Sequence, residues 1–237
     1  MGVPSVKRIA LRAPVVIDYR SHQHKAQALA EEITAAGGAA HVACIDITDR
    51  ASVQDFLSFS VERLGTLDAV VSVVGPPIPL KPFMEISDNE IRRVYETDLY
   101  GSINVMRASA AVLAGQGGGS IVLFLTTAVL RTLENDGLSG CSKSAVASLM
   151  KLLARELGPQ NIRLNGVAPG FIDAGIVHSS FEVDEVAKAV IADCLHKTPM
   201  GRMGTPEEVA SLVDYLTPKE AAYISGQVIA VDGGYSA

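Results

Sequence analysis

The sequence predicts one α/β domain, a doubly wound parallel sheet of about six strands with helices on both faces. Three observations predict it. Short apolar runs alternate with helical patterns from Val15 to the C-terminus. Those runs are continuously apolar instead of alternating with polar residues, which is how strands buried on both faces read. The chain of 237 residues is 48% hydrophobic, a size that suits one large domain or two small ones at most. A chain this long buries roughly 70–75% of its unfolded surface, so its core needs no disulfide or metal.

Val15–Tyr19 reads as the first strand, and 22–36 as a helix closed by Gly37-Gly38. Residues 41–46 form the next strand, 50–64 a helix and 67–74 a third strand. Ser87-Asp88-Asn89-Glu90 is a capping box opening one long helix to about Leu113. Residues 120–125 supply the fourth strand, 138–157 another long helix, and 163–167 the fifth strand, followed by a helix near 182–197. Thr205-Pro206-Glu207-Glu208 combines an N-cap, a proline at the first helical position and a box-closing Glu. Residues 227–231 form the last strand. No low-complexity linker interrupts the series.

Charge and cysteines exclude several classes. With 20 Lys+Arg against 26 Asp+Glu, the net charge of −6 offers no basic patch to nucleic acid. Lys and Arg are scattered singly, which argues against an anionic membrane surface, and no apolar stretch approaches a membrane span. Cys44, Cys141 and Cys194 form no Cys-x-x-Cys pair and read as buried small hydrophobes. Without a secretory leader, the expected location is the cytoplasm.

Three motifs carry a resemblance. Leu164-Asn165-Gly166-Val167-Ala168-Pro169-Gly170-Phe171-Ile172-Asp173, then Pro199-Met200-Gly201-Arg202-Met203-Gly204-Thr205-Pro206-Glu207-Glu208-Val209-Ala210, and finally the run from Tyr223 to Gly234 resemble the short-chain dehydrogenase/reductase family. The branch most similar is that of 3-oxoacyl-carrier-protein reductases and 3-hydroxyacyl-CoA dehydrogenases. The resemblance implies a Rossmann-like parallel sheet, NAD(H) or NADP(H) as cofactor, hydride transfer between carbinol and carbonyl, and dimers or tetramers. It covers residues 14–237, leaving 1–13 as an N-terminal remnant of a helix or a tail. The family's first βα unit, with its Gly-rich pyrophosphate turn, is missing, because residues 1–13 hold one glycine, Gly2. Arg12-Ala13 is too short a crossover for Val6–Leu11 to be a parallel neighbour of the next strand. The Val15–Tyr19 strand is therefore expected to move into or beside the vacated central slot, where ladders would otherwise go unpaired.

The family's Asn-Ser-Tyr-Lys tetrad falls on Asp98, Thr126, Ser139 and Lys143. In the family the Tyr transfers the proton, the Ser orients the substrate oxygen, and the Lys lowers the Tyr pKa and grips the ribose. Ser139 cannot replace a phenol (pKa about 10), being shorter and far less acidic. Thr126 keeps a hydroxyl, and Asp98 puts a charge where the family has an amide. The Asn-Asn-Ala-Gly turn is Ser72-Val73-Val74-Gly75, and Ala174 stands where the nicotinamide-holding Thr would be. Asp18 or Arg20 at the ribose-selecting strand end, Asp46 at the adenine position and Lys143 survive as cofactor-site remnants. As plain structural residues, Asp46 would belong to a helix cap and Lys143 would be solvated.

No intact catalytic or cofactor set is therefore expected in this chain, and no metal site. His22 and His24 do not share a helix face. Ser139, Ser142 and Ser144 with Lys143 suggest a Ser-Lys nucleophile, and Ser139 has the i, i+4 spacing for it, on an otherwise Ala/Ser-rich helix. Pro76-Pro77-Ile78-Pro79-Leu80 is a stiff loop over the old substrate cleft. Scaffold motifs intact beside altered chemistry lead to the expectation of a non-catalytic subunit. Its partner would be a catalytically complete short-chain dehydrogenase paralogue in a heterodimer or heterotetramer, and that partner would hold the NAD or NADP. Helix 138–157, with Ala145, Ala147, Leu149, Leu152 and Leu153, would supply contact surface. The resemblance extends to heteromeric dehydrogenases of hydroxyacyl-CoA thioesters, such as 2-(hydroxybenzyl)succinyl-CoA. The alternative is a weakly active or repurposed oxidoreductase or lyase using Thr126, Lys143 and Asp98.

Overall fold

A computed structural model describes residues 1–174 and 185–237. Its elements run α1 (Gly2–Ala10), β1 (Val15–Tyr19), α2 (Gln23–Ala35), β2 (Ala40–Cys44), α3 (Arg50–Leu64), β3 (Ala69–Ser72), α4 (Asp88–Tyr95), a π-helical turn (Glu96–Gly101) and α5 (Ser102–Gly115). There follow β4 (Gly119–Phe124), α6 (Gly137–Leu157), β5 (Ile162–Pro169), α7 (Glu185–Lys197), α8 (Pro206–Leu216) and β6 (Val228–Val231). The start expected for the helix near 182 falls outside the described residues. Both capping boxes form, Ser87 with Glu90 and Thr205 with Glu208, each side chain bonding the other residue's backbone N–H.

The strands are parallel, but they make two sheets: β1 pairs with β2, while β3, β4, β5 and β6 form a second sheet in that order. The inner strands are buried on both faces. Ile121 and Leu123 of β4 point into a core with Met106, Leu113, Val146, Met150 and Leu164. Val122 and Phe124 point the other way, onto Val167 and α8 residues Val209, Val213 and Leu216. That period of two explains why β4 has no polar alternation. The β1–β2 pair has a smaller core of its own, in which Val15 and Ile17 meet Ala26, Ala30 and Ile33 of α2.

The expectation of one sheet is thus corrected. β1 does not enter the vacated slot, and no ladder joins it to β3. A strand spacing is about 4.8 Å, and shifting β1 by that much would strip Val15 and Ile17 from α2. Residues 1–13 are also more ordered than a tail. Helix α1 lies on α8, where Arg8 Nε and Arg12 Nε donate to the two oxygens of Asp214 at 3.1 and 2.9 Å. Ile9 packs against both the α8 core and the β1–β2 core, so this one helix bridges the two sheets. Between the sheets lies a cleft of about 1880 Å³.

Three smaller expectations change. Cys44 and Cys141 are exposed and only Cys194 is buried. The long helix from Ser87 is broken by the π turn. On α6, Ala147 belongs to the core, Leu149 and Leu153 pack partly against it, and Leu152 is half exposed, so the expected contact face is narrower.

Candidate functional site

The site lies where the π turn faces α6. A π turn carries one extra residue per turn and redirects the side chains within it, and such bulges concentrate at functional places. Here it places Asp98 in the interior, 2% exposed. Gly101 permits the approach from beneath: a Cβ there would sit 2.7 Å from Ile47 Cδ1. Lys143 is buried as well, which corrects the picture of a solvated lysine.

Lys143 Nζ donates to the Val74 carbonyl at 2.7 Å. It also lies 3.2 Å from Asp98 Oδ1, a charge–charge contact that leaves that oxygen without a well-aligned hydrogen bond. The Ser142 hydroxyl stands 3.0 Å from Asp98 Oδ2 and 2.9 Å from the Leu138 carbonyl, sharing its single proton between them. Burial pushes the Lys143 ammonium below its ordinary pKa, and the Asp98 carboxylate pulls it back up. Asp136, at the N-cap of α6, adds a second buried acid. Burial pushes its carboxyl up to about 7, opposed by the Ser139 backbone N–H and reinforced by the Asp98 charge. Its Oδ1 has no hydrogen-bond partner among the described residues.

Of the four tetrad positions, the structure joins Asp98 and Lys143 directly. Ser139 sits one turn before Lys143 on α6 and touches the cluster through its carbonyl, 3.3 Å from Ser142 Oγ. Thr126 stands apart at the end of β4, its hydroxyl capping the following turn by accepting from Ala128 N–H at 3.2 Å. Ala174 packs with the α8 core.

The cofactor-site remnants are also placed. Asp46 accepts from Thr48 N–H and Oγ1 at 3.0 and 2.7 Å and pairs with Arg20 at 3.0 Å. The Thr48 bonds, with Arg20 adding, hold its carboxyl below the usual range. The cap of α3 is Asp49, which accepts from Ala51 N–H at 2.9 Å. Asp18 lines the cleft between the sheets, reachable by water yet crowded by protein, and that crowding raises its carboxyl. His22, being the N-cap of α2 and so off the helix surface, stacks on His24 with ring centroids 6.2 Å apart. No group of three or more metal-ligating side chains gathers among the described residues.

One member of the cluster, Asp136, escapes sequence reasoning, and Ser142 enters it only as one of three serines beside Lys143, without its bond to Asp98. Asp136 carried a usable signal, since an acid directly before Gly137-Leu138 stands where an N-cap does. The role of Ser142 is masked by three other serines and two glycines on the same helix. The Val74 carbonyl has no sequence signature at all.

A parallel α/β scaffold ending on a buried Lys one turn after the tetrad's third position is that of the oxidoreductases expected above. A family model described as Enoyl-(Acyl carrier protein) reductase matches residues 10–236. The chain is 33% identical over 234 residues to the 3-oxoacyl-acyl-carrier-protein reductase of Aggregatibacter actinomycetemcomitans, covering 96% of this chain and 93% of that protein. A tropinone reductase homolog of Arabidopsis thaliana is 37% identical over 172 residues, covering 73% of this chain and 63% of the relative, so under two thirds of that protein is matched. The solved structure of a 7α-hydroxysteroid dehydrogenase complexed with NADH and 7-oxo glycochenodeoxycholic acid superposes with a TM-score of 0.86 at 29% identity, covering 97% of this chain and 89% of that one. The chain belongs to the short-chain dehydrogenase/reductase family. No helix among the described residues is long and apolar enough to cross a membrane.

Proposed function

We propose that this chain is a non-catalytic subunit of a hetero-oligomeric NAD(P)-dependent short-chain dehydrogenase, holding a structural role beside a catalytically complete paralogue in the cytoplasm. The observation that carries the reading is the state of Lys143. Its ammonium is spent on the Val74 carbonyl and Asp98 inside the protein. A lysine so buried and ion-paired is held back from a ribose even though its ammonium keeps an N–H to spare, and Ser139 gives it no phenol to activate. The other remnants are likewise engaged, Thr126 in a cap and Asp46 in an Asx turn with Arg20. Among the described residues no Gly-rich turn stands at a helix N-terminus to take a pyrophosphate, so these residues by themselves do not fit a dinucleotide. Hydride transfer in the complex belongs to the partner's site.

The substrate class assigned to the whole complex, a hydroxyacyl-CoA thioester such as 2-(hydroxybenzyl)succinyl-CoA, rests on the branch of the family the motifs resemble. The acyl-carrier-protein reductase among its relatives belongs to that branch. The native complex should be purified from its host and its mass measured, with peptide identification of what travels with it. A stoichiometric full-length dehydrogenase is the expected companion. A homomeric protein after co-expression with neighbouring reductases would overturn the assignment.

One observation favours a second reading, a repurposed site. Asp136 is buried with a carboxyl near 7, within reach of the Asp98 charge, as a general acid–base group would be. Turnover of thioester substrates without added nucleotide, abolished in Asp136→Asn at unchanged folding, would select it.

A further inference from the structure

We propose that the proline-rich segment 76–86 is a proton-operated strap, seated over the start of α6 while Asp136 keeps its proton and lifted when Asp136 ionises. The contacts make the case. Lys81 N–H donates to the Asn135 carbonyl at 3.1 Å. The Phe83 ring lies against Gly137, where a Cβ would come within 2.6 Å of Phe83 Cδ2. Ile78 and Ile86 pack with the buried Leu138. The segment thus covers residues 135, 137 and 138, and Asp136, 6% exposed, is enclosed beneath it. Pro76, Pro77, Pro79 and Pro82 stiffen the segment, so it moves as a unit. Its far side is tied to α4. Arg93 donates to the Pro77 carbonyl at 3.2 Å, and Lys81 Nζ bonds both Glu90 oxygens. The attachment to α4 is therefore the hinge, and the seat on α6 is the part that opens.

The charges around Asp136 supply the trigger. It lies within reach of the Asp98 charge, and the cation that answers Asp98 is Lys143, at 3.2 Å. The other ionisable groups on the surrounding elements are engaged elsewhere or face water. Lys81 of the strap and Glu90 of α4 hold each other, Arg93 holds Pro77, and Tyr95 lies within reach of Cys141. Arg131 stacks on Tyr235, while Glu85, Asp88, Arg92, Glu96 and Glu134 are exposed. Asp136 itself has the Ser139 backbone N–H, and its Oδ1 has no hydrogen-bond partner among the described residues. A buried carboxylate without a cation is unfavourable, and it escapes by holding a proton or by reaching water. In the seated state burial pushes the carboxyl up to about 7, and with the strap lifted it titrates near its ordinary 3.8. Between those values the seated state binds one more proton than the lifted state, so the seat weakens as pH rises through that window. Lifting bares Leu138 and Val94 and admits water toward the Asp98–Lys143 pair. The inference stands whether or not this chain is catalytic.

The test is residue-resolved amide exchange of the intact chain from about pH 5 to 8, corrected for the pH dependence of the chemical step. Lys81 N–H reads the seat, and Leu125 N–H, bonded to the Val167 carbonyl at 2.7 Å, reads the core. The opening constant at Lys81 should rise about tenfold per pH unit between about 5 and 7 and level off above. Lys81 should stay at least ~100-fold less protected than Leu125 throughout, as a local opening requires. Asp136→Asn should keep the low-pH protection across the whole range. Asp136→Ser, a neutral cap, gives the same reading should the amide variant fail to fold. Three outcomes overturn the proposal: a flat profile in the parent, an unchanged slope in a folded neutral variant, or equal protection at Lys81 and Leu125, which would mean that 76–86 opens only with the whole domain.

Discussion

The two sheets of this molecule were laid down by the same rules and ended in different states. The β3–β6 sheet is buried on both faces, and its core residues Ile121, Val122, Leu164 and Val167 are completely enclosed. The β1–β2 pair has two strands, an outer strand that is only partly buried, and no ladder to the rest. What joins the halves is α1, through Ile9 and the two arginines on Asp214, together with α3, whose Val53 and Leu57 sit in the core of the larger sheet. Two parallel sheets with no ladder between them can thus each keep their order where helices cover them. They do not close the gap by sliding, because each strand is bound more strongly to its own helices than to an empty position.

That contrast can be broken or sharpened in descending steps. The largest effect is expected inside the well-knit half. Asp98→Ala leaves the Lys143 charge buried with only a carbonyl for company and should cost about 3–5 kcal/mol in denaturant unfolding. The double variant Asp98→Leu with Lys143→Met should recover most of that loss, which a simple cavity effect would not permit.

Core truncation should separate the halves next. Leu164→Ala should lower global stability by about 2–5 kcal/mol. Ile17→Ala should instead loosen β1 and β2 alone, speeding their amide exchange while β4 and β5 keep theirs. Equal and global losses from both variants would mean that the two sheets unfold as one.

A pH dependence follows from Asp136. Its folded carboxyl lies near 7 against 3.8 for the free group, so between those values the folded state holds the extra proton. Folding stability contributed by this group therefore falls as pH rises from about 4 through 7. Asp136→Asn should flatten that slope and gain on the order of 2–4 kcal/mol over the parent at pH 8, with little gain near pH 4. Parallel stability curves for the two proteins would place the acid elsewhere. The smallest effect is expected at the clamp. Asp214→Ala removes partly exposed ion pairs and should cost about 1 kcal/mol or less globally. Exchange in α1 should nonetheless rise, because that helix has little else to hold it.

Much of the fold was legible in the residues. Continuous apolar runs located all six strands, and the Ser87 and Thr205 boxes marked two helix starts because their side chains act on backbone within three residues. The split between the sheets was not legible. Whether β1 slides depends on what α1 does, and residues 2–10 show their role only once Arg8 and Arg12 meet Asp214, about two hundred residues away. In the site, Asp98 and Lys143 were found as aligned positions, but their pairing was not. It requires the π turn, which no periodicity announces, to swing Asp98 inward. The same turn converts an expected solvated lysine into a buried one.

The central claim is that the scaffold persists while Lys143 has been withdrawn from cofactor binding. Titration of the purified chain with NADH, followed by nucleotide fluorescence, tests it most directly. The account predicts no saturable enhancement for the chain alone, and micromolar saturable binding appearing only when the full-length dehydrogenase is added. Saturable micromolar binding by this chain alone would contradict it, because Lys143 would then have left Asp98 and Val74 for a ribose.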